Sequence, residues 1–387
     1  MEKNCLVTTY KANVNDNSLL RIGEMRIKIS SIESPNEYSQ SITLRFTKNV
    51  DLEIIGEGYF TDATLSVNKG KNMTANAGDN IIYFSNGNYE IAVLDKYAIS
   101  GLLASKQDGK FYPNKVVALE ALKYSDSLTY IITGDNNLTG DISALSRLTS
   151  LTQLKISNNN LTGNISALSG LTSLTVLHID GNNLTGDISA LSRLTSLTRF
   201  VGNNNNLSGD ISALSGLTSL TLIDVINNAN IKGDMTSLRE LTSLNGLYLG
   251  IENEYTAGTK IICSNIASLE TLIALQELYI KGINIQGDIS LLSAKLLRLI
   301  NDKGNSNCSW GNSRPSSSNV FAIYGINIDN IDGMLNDFNN CVVPSKPSSD
   351  ISYFTINVLG TRTSASDAAV SSLKSKGYTI KVNGIAI

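Results

Sequence analysis

Between Leu138 and Leu299 the apolar positions return on a fixed step. The phrase LTGDISALSRLTSL begins at Leu138 and comes back as LTGNISALSGLTSL at Leu161, LTGDISALSRLTSL at Leu184 and LSGDISALSGLTSL at Leu207. Following one apolar position through Ile142, Ile165, Ile188, Ile211, Met235, Ile266 and Ile289 gives steps of 23, 23, 23, 24, 31 and 23. The long step houses an insertion around residues 251–260. Within a unit Leu154 and Ile156 alternate around Lys155, the pattern of a short strand with one face buried. The SALSRLTS stretch suits a short helical turn on the opposite side, with its Ser and Thr as expected caps. A period of this length marks a chain of stacked units rather than one globular core.

The unit reads L-x-x-L-x-L-x-x-N-x-L-x-G-x-I and resembles the leucine-rich repeat family. That resemblance implies a parallel sheet on the concave side and short helical or 3-10 segments on the convex side. The expected fold class is an α/β leucine-rich-repeat solenoid, preceded by a small all-β domain and closed by an α/β C-terminal cap. Residues 1–105 alternate with period two, as in Met25, Ile27 and Ile29, then Ile42, Leu44 and Phe46, which predicts a β-sandwich-like domain of six to eight strands. Ser85-Asn86-Gly87-Asn88 lies between two alternating runs and predicts a hairpin. Residues 106–127 read as a capping helix region, and residues 128–300 hold about seven repeats of 23–24 residues. Residues 301–387 form the C-terminal cap: a strand at Val320–Ile328, a helix at 329–339, a strand at Ile351–Leu359, a helix opened by Ser364 and closed by Gly377, and a strand at Tyr378–Val382.

Asn136, Asn159, Asn182, Asn205 and Asn228 occupy the slot where the chain leaves the strand. An amide there both donates to and accepts from backbone groups that the turn strands without partners, so these five read as a structural ladder. Gly202 stands where a strand aliphatic belongs, and Ile283 replaces the turn Asn in the last clear unit, so the ladder should loosen there. The repeated Asn-x-Thr/Ser triplets read as by-products of the repeat rather than glycan sites.

The outward strand positions vary while the framework does not, which makes the concave face the candidate binding surface. Its candidate residues are Tyr130, Lys155, His178, Asp180, Arg199, Asp224, Tyr248, Glu277, Tyr279 and Lys281. Tyr248 and Tyr279 become neighbours if the insertion leaves the strand ladder intact, and tyrosine offers a rigid apolar face with a polar tip. A Ser157-His178-Asp180 set can be drawn on the same face, yet an open parallel sheet gives it no oxyanion hole and no exclusion of water.

Composition narrows the function further. Hydrophobic residues make up 42% and charged residues 17%, so uncharged Asn, Ser, Thr and Gly carry the polar share. A net charge of -3 gives no basic field for nucleic acid, and no apolar stretch is long enough to insert in a membrane. One His and four scattered cysteines, Cys5, Cys263, Cys308 and Cys341, offer no His-based metal cage and no Cys-x-x-Cys pair. Cys308 and Cys341 flank the cap, with free thiols favoured over a disulfide. With no phosphate loop and no cofactor fingerprint, neither metal, cofactor nor catalytic residue is expected.

The N-terminus shows no Sec signal core, which predicts cytoplasmic synthesis followed by a cytoplasmic, virion or cell-surface location. The NGNYEIAVLDKY, RPSSSN and TRTSASDAAVSSLKSKGYT segments make the whole chain look like leucine-rich repeat proteins of gut Bacteroidota and their phages. That likeness implies a virion fibre or surface component. The reading is a non-enzymatic recognition protein for a protein or cell-surface glycan, with the β-domain for attachment or assembly. Two alternatives stay open: a purely structural spacer or decoration whose partners are its own copies or virion proteins, and, as the lesser, an enzyme.

Overall fold

The computed structural model describes nine strand segments between residues 25 and 103 by their backbone, and residues 128–135, 138–251, 260–301, 306–343 and 354–387 in full. The chain forms two compact units, Met1–Ser196 and Leu197–Ile387.

In the first unit the N-terminal strands make two antiparallel sheets. One has the order Met25–Ser30, Asn88–Val93, Val50–Glu57, Asn72–Ala75. The other runs from Ser66–Val67 through Phe60–Asp62, Gly78–Phe84 and Gln40–Phe46 to Ile99–Leu103. Gly78–Phe84 and Asn88–Val93 therefore belong to different sheets, and the Asn-Gly signal between them joins two sheets instead of closing a hairpin. Ile99–Leu103 then pairs in parallel with Tyr130–Ile132, the first repeat strand, placing Ile131 beside Leu102. Gln153–Lys155 and Val176–His178 continue that sheet. The edge expected to need a helix is thus covered by a strand. The predicted helix at 106–127 lies outside the described residues, as do Cys5 and Asn136.

The second unit carries parallel strands at Arg199–Val201, Leu222–Asp224, Gly246–Gly250, Glu277–Lys281 and Arg298–Ile300. The sheet goes on through Ala322–Asn327, Thr355–Leu359 and Thr379–Val382, with Ile385–Ala386 turning back antiparallel. Helices α1 (Ile331–Asn340) and α2 (Asp367–Ser375) alternate with these last strands, as the C-terminal pattern predicts. This is the α/β leucine-rich-repeat solenoid fold with its α/β cap.

The repeats bury their framework, and in one unit Leu151, Leu154, Ile156, Leu161, Ile165 and Leu168 are all 0% exposed. The convex side is made of 3-10 turns such as Ile142–Leu145 and Ile165–Leu168. Their caps differ from the expectation. The Asp or Asn before the turn does the capping: Asp141 accepts from the Ser143 N–H at 2.8 Å and Asn164 from the Ser166 N–H at 2.9 Å. An Asp or Asn oxygen held at the start of a turn satisfies an otherwise orphan donor, and the downstream serines supply the N–H.

A second short sheet runs along the flank: Thr139–Asp141, Asn160–Asn164 and Asn183–Asp187 in the first unit, Asn206–Asp210, Asn230–Asp234 and Lys260–Ile262 in the second. The alternating L-T-G-D segment encodes it. Threonines add a further ladder, with the Thr152 hydroxyl donating to the Thr129 carbonyl at 2.9 Å and Thr175 to Thr152 at 3.0 Å.

Among the described residues, the side-chain amides of Asn159, Asn182 and Asn228 bridge one turn to the preceding one. Asn159 accepts from the Leu138 N–H at 2.8 Å and donates to the carbonyls of Thr133 and Ile156 at 3.0 and 2.9 Å. Asn182 repeats this toward Leu161, Ile156 and Ile179, and Asn228 toward Leu207, Gly202 and Val225. The residue before each ladder Asn is left-handed, with φ of 53° at Asn158 and 62° at Gly181. Asn and Gly tolerate that region best, which explains the recurring Asn-Asn and Gly-Asn doublets. At Gly202 a Cβ would lie 2.9 Å from the ring of Phe200, so the glycine makes room for an aromatic where other units have leucine. The Asn205 bonds to the Gly202 and Asn203 carbonyls are both 3.3 Å, longer than their counterparts at Asn159.

Candidate functional site

Strand alternation decides which side chains face outward. In the first unit Lys155 and His178 are lateral neighbours on paired strands, and Tyr130 lies beside Gln153. Asp180 is not poised for His178 chemistry with a serine. The Ser157 hydroxyl donates to the Asp180 carboxylate at 2.6 Å, so the would-be nucleophile is already committed.

The second unit holds the denser group. The ladder survives the insertion, and Tyr248 stands beside Tyr279. Their rings stack with centroids 4.8 Å apart and planes 22° apart. That separation matches the distance between neighbouring strands, so the sheet itself sets the stack. On the far side of Tyr279 the Arg298 guanidinium sits 5.0 Å from the ring centroid. Arg298 also donates to Glu277 Oε2 at 2.8 Å, and the Tyr248 hydroxyl donates to the same oxygen. The ion pair is largely shielded, with side chains 13% and 17% exposed. Burial, followed by the hydrogen bond and charge of Glu277, pushes the Tyr248 phenol well above its ordinary range.

Gly246 gives Tyr248 its place. A Cβ there would lie 2.8 Å from the Tyr248 ring and 2.9 Å from Leu222, so both side chains close over the glycine. Leu222, Tyr248, Tyr279 and Arg298 therefore form one ridge across four neighbouring strands, with Glu277 linking Tyr248 to Arg298. Glu277, Tyr248 and Tyr279 are brought together in one group. Asp224 neighbours Tyr248 on the ladder but is engaged by the Asn203 amide at 2.6 Å and the Ile226 N–H at 3.2 Å. Lys281 pairs with Gly250 at the strand end, and Arg199 is exposed beside Leu222.

Sequence reasoning missed Arg298. It lies beside Glu277, one strand further on, in a segment (LLRLI) that has lost most of the repeat frame. The signal was its spacing before Leu299, which is buried like Leu278. Cys263, Cys308 and Cys341 are free and buried. Burial pushes the thiols of Cys263 and Cys308 up to about 12, so they are neutral and unreactive.

A two-copy leucine-rich-repeat family model matches residues 149–193. No curated protein matches the chain. Among solved structures, an internalin (inlF) from Listeria monocytogenes is 25% identical, covering 75% of this chain and 85% of that one, with a TM-score of 0.49. Internalin C2 of the same organism is 26% identical over 50% of this chain and 77% of its own, at a TM-score of 0.37. The Arabidopsis receptor kinase HAESA, solved with the peptide hormone IDA and the co-receptor SERK1, is 23% identical over 54% of this chain and 35% of its own, at a TM-score of 0.42.

Proposed function

We propose that the chain is a non-enzymatic recognition protein whose concave face, in the second unit, docks a protein partner. The observation that supports this most is the Leu222–Tyr248–Tyr279–Arg298 ridge. Tyr and Arg held rigid by stacking and an ion pair lose little entropy on binding, and such residues dominate protein interfaces. The same geometry argues against a sugar here. A pyranose stacks on an open aromatic face, and both faces of Tyr279 are taken, one by Tyr248 and the other by Arg298. The likeness to surface and phage repeat proteins adds a setting, a cell surface or a virion, with the N-terminal strands for attachment.

The test is a displayed-peptide and protein-array screen of the full-length chain beside a Tyr248→Ala/Tyr279→Ala variant, both checked for folding. Specific partners should weaken by about tenfold or more in the variant, the scale of a hot-spot pair. Partners that bind both proteins equally would sink the concave-face reading. Absence of any partner, with concentration-dependent self-association in light scattering, would favour a structural role instead.

A further inference from the structure

The ridge is the start of a longer row in the same unit. Strand register continues Tyr248 and Tyr279 through Ile300, Tyr324 and Asn357 to Lys381, one residue from each of six neighbouring parallel strands. Ile323, Ile356, Val358, Ile380 and Val382 alternate with the last three members and are buried, so Tyr324, Asn357 and Lys381 face outward with the tyrosines. The row is graded along its length. Its first four members are aromatic or aliphatic, and its last two, on strands of the C-terminal cap, are an amide and an ammonium. At the other end Asp224 lies beside Tyr248.

The polar end has no partners of its own. Asn357 Oδ1 is buried without a hydrogen bond. Among the described residues, neither the Asn357 nor the Lys381 side chain makes a hydrogen bond or an ion pair. Both residues are half-buried. A shielded amide and a shielded ammonium without partners carry a desolvation cost that a bound group recovers. The other charges along the row are committed, Arg298 to Glu277 and Asp224 to the Asn203 amide.

This chemistry selects an occupant. An ammonium takes a carboxylate, and an amide that donates and accepts at once matches a peptide bond. An extended chain offers its backbone N–H and C=O to Asn357, whereas a helix has already paired its own. Two strand spacings of about 4.8 Å separate Tyr324 from Lys381, the reach of about three extended residues. Asp224 at the far end disfavours the reverse orientation. We propose that the partner docked on the concave face lays an extended segment across the strands, with an apolar residue over Tyr324 and, about three residues on, an Asp or Glu paired with Lys381. This rests on the concave-face reading and names the segment that it recognises.

The test is selection from a displayed library of random dodecapeptides on the full-length protein. The wild type should enrich peptides with Asp or Glu two to four residues from an aromatic or aliphatic residue. Synthetic copies should bind Lys381→Glu and Asn357→Ala about fivefold more weakly, the scale of one ion pair or hydrogen bond. Copies with Lys in place of the acid should prefer Lys381→Glu to the wild type. Both side chains lack partners in the fold, so both variants should fold, which circular dichroism checks. Enrichment without an acidic preference overturns the proposal, as does a preference that Lys381→Glu leaves in place, or the absence of any enriched peptide. Protein partners that weaken in Tyr248→Ala/Tyr279→Ala but not in Lys381→Glu would remove the segment and leave the concave-face reading standing. Partners that weaken in neither would remove both.

Discussion

At the scale of single residues, the framework owes its definition to amides and glycines whose neighbours leave no alternative. Asn159 is 6% exposed and supplies the partner of the buried Leu138 N–H. Asn159→Ala should therefore cost about 1–3 kcal/mol, the penalty of an unsatisfied buried donor, with faster hydrogen exchange at Leu138 as the local readout. Asn158→Ala, at the exposed left-handed neighbour, should cost less and leave Leu138 protected. Gly246→Val is the corresponding test of the ridge. Its side chain would displace the Tyr248 ring, raise the phenol's exposure and bring its titration back toward the ordinary ~10, followed by ultraviolet absorbance against the wild type. A phenol that still titrates high in that variant would show that Gly246 does not seat the ring. The tyrosine pair and Glu277 were legible in the sequence because strand alternation and repeat spacing fix both face and column. Arg298 was not, because its unit keeps the strand but has lost the Asn, Gly and Asp marks that number the columns.

At the scale of elements, the 3-10 turns hang on carboxylates. At Asp288 burial pushes the carboxyl up, but hydrogen bonds from the Ser290 hydroxyl and N–H, the Gly311 N–H and the Asn312 amide outweigh it and hold it below its usual range. Asp210, through its bonds from Ser212, and Asp332, through Ser366 and Thr363, are lowered as well. With folded values below the unfolded ~3.9, the unfolded chain takes up protons first. Stability is thus complete above about pH 4 and falls as pH drops through the folded values. Urea midpoints between pH 7 and pH 2.5 should show that loss, with a shallower slope in Asp288→Asn; an equal slope would remove Asp288 from the account. The next cap is an arginine. Arg314 is 7% exposed and donates to the Ser290, Leu292 and Ser293 carbonyls at 2.9, 2.8 and 2.9 Å, closing the 3-10 turn Ile289–Leu291. Arg314→Met should cost about 3 kcal/mol or more in denaturant unfolding, since it removes three hydrogen bonds to buried carbonyls at once. The concave strands of the repeats and the main alternating strands and helices of the C-terminal cap follow from periodicity and were readable. Caps, the flank sheet and the Thr ladder were harder to read, because they depend on what the preceding repeat presents at each position.

At the scale of the whole molecule, a repeat array survives in water only if both ends of its sheet are covered. In the second unit the last parallel strand, Thr379–Val382, is closed by Ile385–Ala386 through Asn383 and Gly384, both at positive φ, 53° and 79°. That is the backbone of a tight hairpin, and the Asn-Gly pair makes one here, whereas Asn86-Gly87 links strands of two sheets. Local turn chemistry is the same in both; the difference lies in which sheet each flanking strand joins, a matter of long-range pairing that no short motif records. In the first unit the cover is Ile99–Leu103, paired with Tyr130–Ile132 across an interval of chain with no repeat signal. The N-terminal strands are therefore part of the array's closure, whatever else they attach to. Removing residues 1–105 should expose the Tyr130–Ile132 edge, beside which Leu128 and Ile131 are now 0% exposed. The truncated chain should self-associate in light scattering and unfold at lower denaturant than the full chain. A monodisperse truncated chain of unchanged stability would mean instead that the N-terminal strands are a separable module and that residues 106–127 alone suffice to cover the edge.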